Sequence, residues 1–385
     1  MRILINTSAA VLGGAVTHLR HLLPGIARQA EGDQIIVVAN RHTLEKLGEL
    51  SNGLQVVSVC VDFSNPLRRT WWENVALPGI AAEAGADVIL HPANMPLLRC
   101  RVPQVCVIHN VAPFMEEIVR EESPYQRLRL RMLRHLTEVA LTRSQASIFL
   151  SRWTRERVLS ARPIDRQRWP VVYFGADQQR AETNASILRE LDLQPQKYVL
   201  AVAHLYRYKR IEHLISAFKS RDVQATGASL VLAGAPVDLG YTNRLKSLAA
   251  ETGARVIFAG ALDSSSVSTL MASCAAFVFT SIAENLPITL LEAMSEGAPI
   301  VTNRCCSMPE ICGDAAAYVS QPSPENYGRE ILKLLNDPGE RRDRAAKSLA
   351  RAKRFRWDEA ARRTLTVLRR AVPGPPPGAA TRPVL

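Results

Sequence analysis

Glu284-Asn285-Leu286-Pro287-Ile288-Thr289-Leu290-Leu291-Glu292-Ala293-Met294 sets two carboxylates eight residues apart around the start of a helix. The apolar run Ala275 to Thr280 comes just before it and reads as a buried strand. Pro287 suits a first helical turn, where the amide hydrogen it lacks has no intrahelical partner anyway. Backbone N–H groups at Asn285, Leu286 and Ile288 then lie at a helix N-terminus. That end carries partial positive charge and suits an anion such as a diphosphate. Glu292 lies about 1.5 helical turns further on, so the two carboxylates can address opposite ends of one elongated ligand.

Working outward, the same strand-then-helix unit repeats along the chain. The first half offers apolar β-rich runs at Ile3-Ile5, Ile35-Val38, Val56-Val59, Val88-Leu90, Val105-Ile108 and Ser147-Leu150. The second half offers Tyr198-Val202, Leu230-Ala233, Val256-Phe258, Phe277-Thr280, Ile300-Thr302 and Ala317-Val319. Helical patterns lie between them, among them Val16 to Gln29, Arg69 to Ala84, Ile211 to Lys219, Thr242 to Glu251 and Pro287 to Ser295. Such alternation predicts an α/β protein of two doubly wound domains with parallel sheets. Ligands of such sheets bind beyond the carboxyl ends of the strands, and two facing domains make a cleft. The expected boundary is near Asp177 to Thr183, giving domains of 1–179 and 180–356. A helical pattern follows at 357–372, and the tail 373–385, rich in Pro and Gly, is expected to be disordered.

At 385 residues the chain is long for one core and suits two. Its 47% hydrophobic and 22% charged residues are globular values, and no apolar run reaches the 18 or so residues of a membrane span. The N-terminal stretch is too soon interrupted for a secretory signal, so the expected location is cytoplasmic. Seven cysteines with no Cys-x-x-Cys pair read as reduced, mostly buried thiols. The formal charge of +12 points to an anionic partner. Between Arg127 and Arg168 stand eleven arginines against Glu138, Glu156 and Asp165. No aromatic-interleaved basic motif or helix-turn-helix pattern accompanies them, so nucleic acid is not the expected partner. A phosphate-bearing substrate or an anionic membrane surface fits instead.

The Glu284–Glu292 stretch resembles the E-x7-E region of retaining glycosyltransferases of family 4, which have the GT-B fold of two Rossmann-like doubly wound domains facing a cleft. The resemblance continues through Gly297-Ala298-Pro299-Ile300-Val301, Pro309-Glu310-Ile311 and Gly313-Asp314-Ala315-Ala316. It implies that Glu284 contacts hydroxyls of a donor sugar and Glu292 the nucleotide ribose. Ala203-His204-Leu205-Tyr206-Arg207-Tyr208-Lys209-Arg210 is similar to the family's G-R-L-x-x-x-K-G loop, which holds the diphosphate. Lys209 falls on the Lys position and His204 on the Arg position, while Ala203 and Arg210 replace the glycines. A histidine is at most partly charged near neutral pH, which leaves Arg207 or Arg210 to supply the second charge. Gly13-Gly14, after the first strand, matches the loop that reaches the donor from the first domain. His109 occupies the family's sugar-pocket histidine position, with Asn110 in place of the usual Asp; it is expected to orient substrate rather than act as a general base. The chain has no Asp-x-Asp, so no metal or other cofactor is expected, and the leaving group would be neutralised by side chains and helix dipoles.

Together these readings imply transfer of a hexose from a UDP- or GDP-sugar to a glycan or lipid-linked acceptor, in surface polysaccharide synthesis such as that of lipopolysaccharide. The alternatives are a nucleotide-sugar 2-epimerase-like isomerase of the same fold, for which no acid/base carboxylate set stands out, and a non-catalytic nucleotide- or glycan-binding scaffold. By resemblance, the 357–372 helix crosses back to the first domain. The basic 124–143 helix reads either as an ordinary surface helix or as a peripheral contact with the inner face of a membrane. Ser151 reads as a helix N-cap. Trp71-Trp72-Glu73 fits either a core or an acceptor-facing position.

Overall fold

The computed structural model describes residues 1–10, 14–48, 53–160, 162–176, 184 and 186–373. It contains two six-stranded sheets, parallel throughout. The first holds β1 (Arg2–Asn6), β2 (Gln34–Ala39), β3 (Leu54–Ser58), β4 (Val88–His91), β5 (Gln104–Ile108) and β6 (Ala146–Phe149), in the order β3-β2-β1-β4-β5-β6. The second holds β7 (Tyr198–Val202), β8 (Ser229–Ala233), β9 (Val256–Gly260), β10 (Ala276–Phe279), β11 (Ile300–Asn303) and β12 (Ala316–Val319), in the order β12-β11-β10-β7-β8-β9. The strand order reverses between β1 and β4 in one sheet and between β7 and β10 in the other. The open crevices of doubly wound sheets lie at such points.

Every expected strand is present, with ends that differ by no more than two residues. The central strands are buried on both faces, which is why they read as continuous apolar runs rather than alternating ones. The helical expectations need two corrections. Arg69 to Ala84 is not one helix but two, Pro66–Val75 and Leu77–Glu83, broken at Ala76 ahead of Pro78. Pro78 has no amide hydrogen to donate to the Asn74 carbonyl and its ring crowds that carbonyl, so the first helix cannot run on through it. Pro287 is the N-cap of its helix, with φ −78° and ψ 90°, rather than part of the first turn, and the helix runs Ile288–Ser295.

The Trp357–Ala371 helix lies on the Gly14–Gln29 helix of the first half. Their backbones approach so closely that a Cβ on Gly25 would stand 2.8 Å from that of Ala361. Arg28 pairs with Asp358 at 2.7 Å and Arg369 with Asp33 at 2.9 Å. Gly175 packs on the backbone of Trp357, where a Cβ would fall 2.2 Å from the Trp357 nitrogen, and the Ala176 N–H donates to the Phe355 carbonyl at 3.1 Å. The two crossings of the chain between the halves therefore touch. The expected boundary at 177–183 and the tail at 374–385 lie outside the described residues.

Candidate active site

A cleft of about 850 Å³ opens between the two sheets. Its walls come from the segments that follow β5, β6, β7, β8 and β10, all at carboxyl ends of strands. His109, Asn110 and Leu150 line it from the first half; Tyr206, Arg207, Tyr208, Asp238, Glu284, Asn285, Leu286 and Ile288 line it from the second.

The loop after β7 is shaped by its neighbour after β8. Gly234 has φ 143°, and a Cβ there would lie 1.9 Å from the Ala203 carbonyl oxygen, so only glycine lets the two loops meet. Arg207–Lys209 then form one 3₁₀ turn, and Arg210 takes a left-handed conformation at φ 52°, ψ 37° before the Ile211–Ala217 helix. This is the position at which the resemblance has glycine. Arg210 holds the unfavourable backbone while its Nη2 donates to both carboxylate oxygens of Glu121 of the other half, at 2.5 and 2.6 Å.

Lys209 Nζ meets Glu284 Oε1 at 2.6 Å, and both side chains are only 13% exposed. The ammonium also lies over the Tyr208 and Phe279 rings, at 5.1 and 5.3 Å from their centroids. The Thr280 hydroxyl donates to the Lys209 carbonyl at 2.5 Å, and the Ile282 N–H to that of Tyr208 at 3.0 Å, so the 208–209 and 280–282 segments are tied together. Arg207 pairs with Asp238 at 3.1 Å on the cleft rim.

His109 stands at the end of β5 in a stack of rings. Its centroid is 5.1 Å from His18 and 5.7 Å from Phe174, and Phe174 lies 5.4 Å from Trp357. Burial lowers the His109 pKa to about 4, and its Nε2 has no protein partner. The ring is therefore neutral at physiological pH. His18 is pushed well below its ordinary value, first by burial and then by the neighbouring His109 and His21.

Of the residues expected at a donor site, the structure brings His109, Arg207, Glu284, Asn285, Leu286 and Ile288 to the cleft, with Lys209 behind Glu284. His204 is elsewhere: exposed, with Nδ1 accepting the Ala235 N–H at 3.3 Å. Glu292 is half-buried on the second turn of its helix and is not among the cleft-lining residues. Gly14 opens the first helix, and Gly13 lies outside the described residues.

Sequence reasoning missed the contacts that join the halves. Asn285 Nδ2 donates to the carbonyls of Ile108 and His109, at 2.6 and 3.0 Å. Glu310 accepts the N–H groups of Arg152 and Trp153, at 2.7 and 2.9 Å, and the Tyr173 hydroxyl at 2.6 Å. Gln126 and Arg129 of the basic helix also line the cleft. The helical spacing showed an exposed face there but not what that face looks onto.

Two family models divide most of the chain between them. Glycosyltransferase Family 4 matches residues 12–180, and Glycosyl transferases group 1 matches residues 186–351. The chain belongs to the family 4 glycosyltransferases, and its fold is GT-B. Among curated relatives, an O-antigen chain mannosyltransferase B of Escherichia coli is 27% identical over 183 residues, 46% of this chain and 47% of that protein. The serotype-specific mannosyltransferase WbdA of Escherichia coli is 23% identical over 263 residues, 66% of this chain and 32% of that protein. The chain thus spans half or less of the length of these relatives. Among solved structures, HepE of Anabaena with UDP-glucose superposes with a TM-score of 0.74 at 18% identity, covering 96% of this chain and all of that one. That likeness is one of fold.

Among the described residues, no group of three His, Cys, Asp or Glu side chains is arranged to hold a metal ion. No helix among them is long and apolar enough to cross a membrane.

Proposed function

We propose that this family 4 glycosyltransferase is a retaining enzyme that moves a hexose from a UDP- or GDP-sugar to a glycan or lipid-linked acceptor in surface polysaccharide synthesis. The observation that carries the proposal is the Lys209–Glu284 pair, sequestered on the cleft wall where the loops of β7 and β10 meet. A carboxylate and an ammonium at 2.6 Å hold each other in place before any ligand arrives. A diphosphate would draw the ammonium to itself and free Glu284 to accept hydroxyls of the sugar. Arg207 on the rim would supply further positive charge, and the N-terminus of the Ile288–Ser295 helix, which has no side-chain cap, would present N–H groups to the phosphates. Charge neutralisation by these groups is a route that needs no bound metal.

His109 is neutral, and of the carboxylates that line the cleft Glu284 is paired with Lys209 and Asp238 with Arg207, which suits binding rather than acid/base work. The proposed step is therefore front-face transfer. The bond from anomeric carbon to phosphate oxygen breaks, the acceptor oxygen attacks the same face, and the departing phosphate takes the acceptor proton. The mannosyltransferase relatives make mannose the first sugar to test. The basic Pro124–Arg143 helix is proposed to touch an anionic membrane surface at the inner face, beside the cleft it helps to line.

Thermal shift with a panel of UDP-, GDP-, ADP- and dTDP-sugars tests the donor site, since a ligand that binds only the native state raises its melting temperature. One nucleotide class should stabilise the wild type, and Lys209→Ala should abolish the shift. If no member of the panel nor any free nucleoside diphosphate raises the melting temperature, the transferase reading fails. Proton NMR of the anomeric product then tests retention of configuration.

A further inference from the structure

The Trp71-Trp72-Glu73 run divides between surface and interior. Trp71 is exposed, while Trp72 is buried against Phe63, with ring centroids 5.1 Å apart. Glu73 is turned inward and is only 7% exposed. Its hydrogen-bond partners are neutral: Oε1 accepts from Asn6 Nδ2 at 3.0 Å and from the Ser8 hydroxyl. A buried carboxyl group is costly unless its oxygens are bonded, and an apolar side chain would fill the same space without that cost. What Glu73 does here is therefore to be read from what it binds.

Its bonds converge on the first turn of chain after β1. Asn6 ends β1 and His91 ends β4, the neighbouring strands at which the first sheet reverses its order. Asn6 Oδ1 accepts the Ser8 N–H at 3.1 Å, which fixes the amide and aims Nδ2 the other way. The two hydrogens of Nδ2 then go to Glu73 Oε1 and to His91 Nδ1, the latter at 3.3 Å. Burial holds the His91 pKa at about 4, so the ring is neutral and Nδ1 can accept. On the other side, the Thr7 N–H and hydroxyl both donate to the Val38 carbonyl, at 3.1 and 2.8 Å. Residues 6–8 are thus held by β2, β4 and the Pro66–Val75 helix together. The chain continues into the Gly14–Gln29 helix, whose second turn carries His18, 5.1 Å ring to ring from His109 in the cleft wall.

We infer that Glu73 is a positioning residue for the donor site: through Ser8 and Asn6 it fixes the root from which the chain runs into the Gly14–Gln29 helix, and so the placement of that helix's first turns beside His109. The inference rests on the nucleotide-sugar reading of the cleft and deepens it. Lys209, Arg207 and Glu284 all come from the second half, which can hold a nucleotide through its own groups. The sugar end is met from the first half, by His109 and by the segment after β1. A group displaced by about 1 Å can forfeit most of what it contributes to orienting a substrate. Glu73 touches neither donor nor acceptor in this scheme. It acts at a distance, by removing freedom from the segment that does.

The experiment is calorimetric titration of the full chain, well below its melting temperature, with two probes. One is the member of the UDP-, GDP-, ADP- and dTDP-sugar panel that stabilises the wild type most; the other is the matching nucleoside monophosphate, which lacks the sugar. Four variants are compared: Glu73→Ala, Glu73→Gln, Ser8→Ala and Trp72→Leu. Glu73→Ala and Ser8→Ala should each weaken the nucleotide sugar about tenfold and leave the monophosphate as in wild type. Glu73→Gln keeps an oxygen that can accept both bonds and should restore the affinity to within about threefold. Trp72→Leu loosens the same helix without touching these bonds, so it should lower the melting temperature and change neither affinity. Should Glu73→Ala fail to fold, Ser8→Ala carries the same test from the other end of the bond. If both bind the nucleotide sugar like wild type, Glu73 is architectural and this inference falls while the donor site stands. It falls equally if Trp72→Leu weakens the sugar as much as they do. If the wild type binds neither probe, the donor-site reading falls and takes this inference with it.

Discussion

Lys209 and Glu284 make opposite contributions to stability and to function. Either one alone would be a charge in a nearly closed site, and stripping one partner from a buried pair costs about 3–5 kcal/mol. Glu284→Ala should therefore lower the urea midpoint strongly, whereas Lys209→Met/Glu284→Leu, which removes both charges, should recover most of that loss. Neither protein should transfer sugar at more than about a hundredth of the wild-type rate: Glu284→Ala loses the carboxylate proposed to hold the sugar hydroxyls, and the double variant also loses the charge proposed to stabilise the departing diphosphate. A double variant both stable and active would show that the pair is only architectural. The histidines make a second residue-level prediction. Burial holds His91 and His109 at a pKa of about 4, and His18 well below the ordinary imidazole value. Folded pKa values below the unfolded ones mean that the unfolded chain binds more protons in this window. Their contribution is fully present above about pH 6.5 and is lost as pH falls toward 4, by up to about 1.4 kcal/mol per pH unit for each. Urea titrations at pH 7 and pH 5 should show that loss, and His91→Gln should flatten it. An unchanged midpoint would mean that these rings charge freely in the folded protein.

Among the elements, the loop after β7 depends on one backbone position that carries no side chain. Gly234→Ala puts a methyl group into the Ala203 carbonyl and a residue at φ 143°, so β8 and the phosphate-loop candidate must move apart. A loss of roughly 2–4 kcal/mol is expected, together with weaker donor binding. Circular dichroism melts and nucleotide titration check both, and a variant with wild-type melting would show that the loops have room to separate. The elements were also the most legible level of this chain. Parallel strands buried on both faces announce themselves as apolar runs, and Ser151 announced its helix, with its hydroxyl accepting the Thr154 N–H at 3.1 Å. Arg210 did not announce its left-handed backbone, because nothing in an arginine favours one; what holds it there is Glu121, 89 residues away. The pairing of Asn285 with the end of β5 was equally hidden, since spacing along a chain says nothing about which loops of two separate sheets will face each other. The Glu284 side of the site was legible from a local pattern, and the contacts that close the cleft were not.

At the scale of the whole molecule, three contacts hold the halves together around the cleft: Asn285 on β5, Arg210 on Glu121, and Glu310 on the start of the Arg152–Val158 helix. Glu310 is the most exacting of these, since one carboxylate takes three donors from the opposite half. Glu310→Ala should leave each sheet intact but favour an open arrangement. The expected signs are a larger radius of gyration by small-angle X-ray scattering and a KM for donor raised more than kcat is lowered. An unchanged scattering curve would assign Glu310 a local capping role only. The Trp357–Ala371 helix has a different consequence. It covers the first helix of the chain, and its leading tryptophan lies within the ring stack that includes His18 and Phe174. On a ribosome, the first half would emerge with that surface bare and would wait for more than 170 further residues before its cover arrives. During that interval the nascent protein has an exposed apolar seam, so synthesis rate and chaperone access, rather than final stability, would govern how much of it reaches the native state.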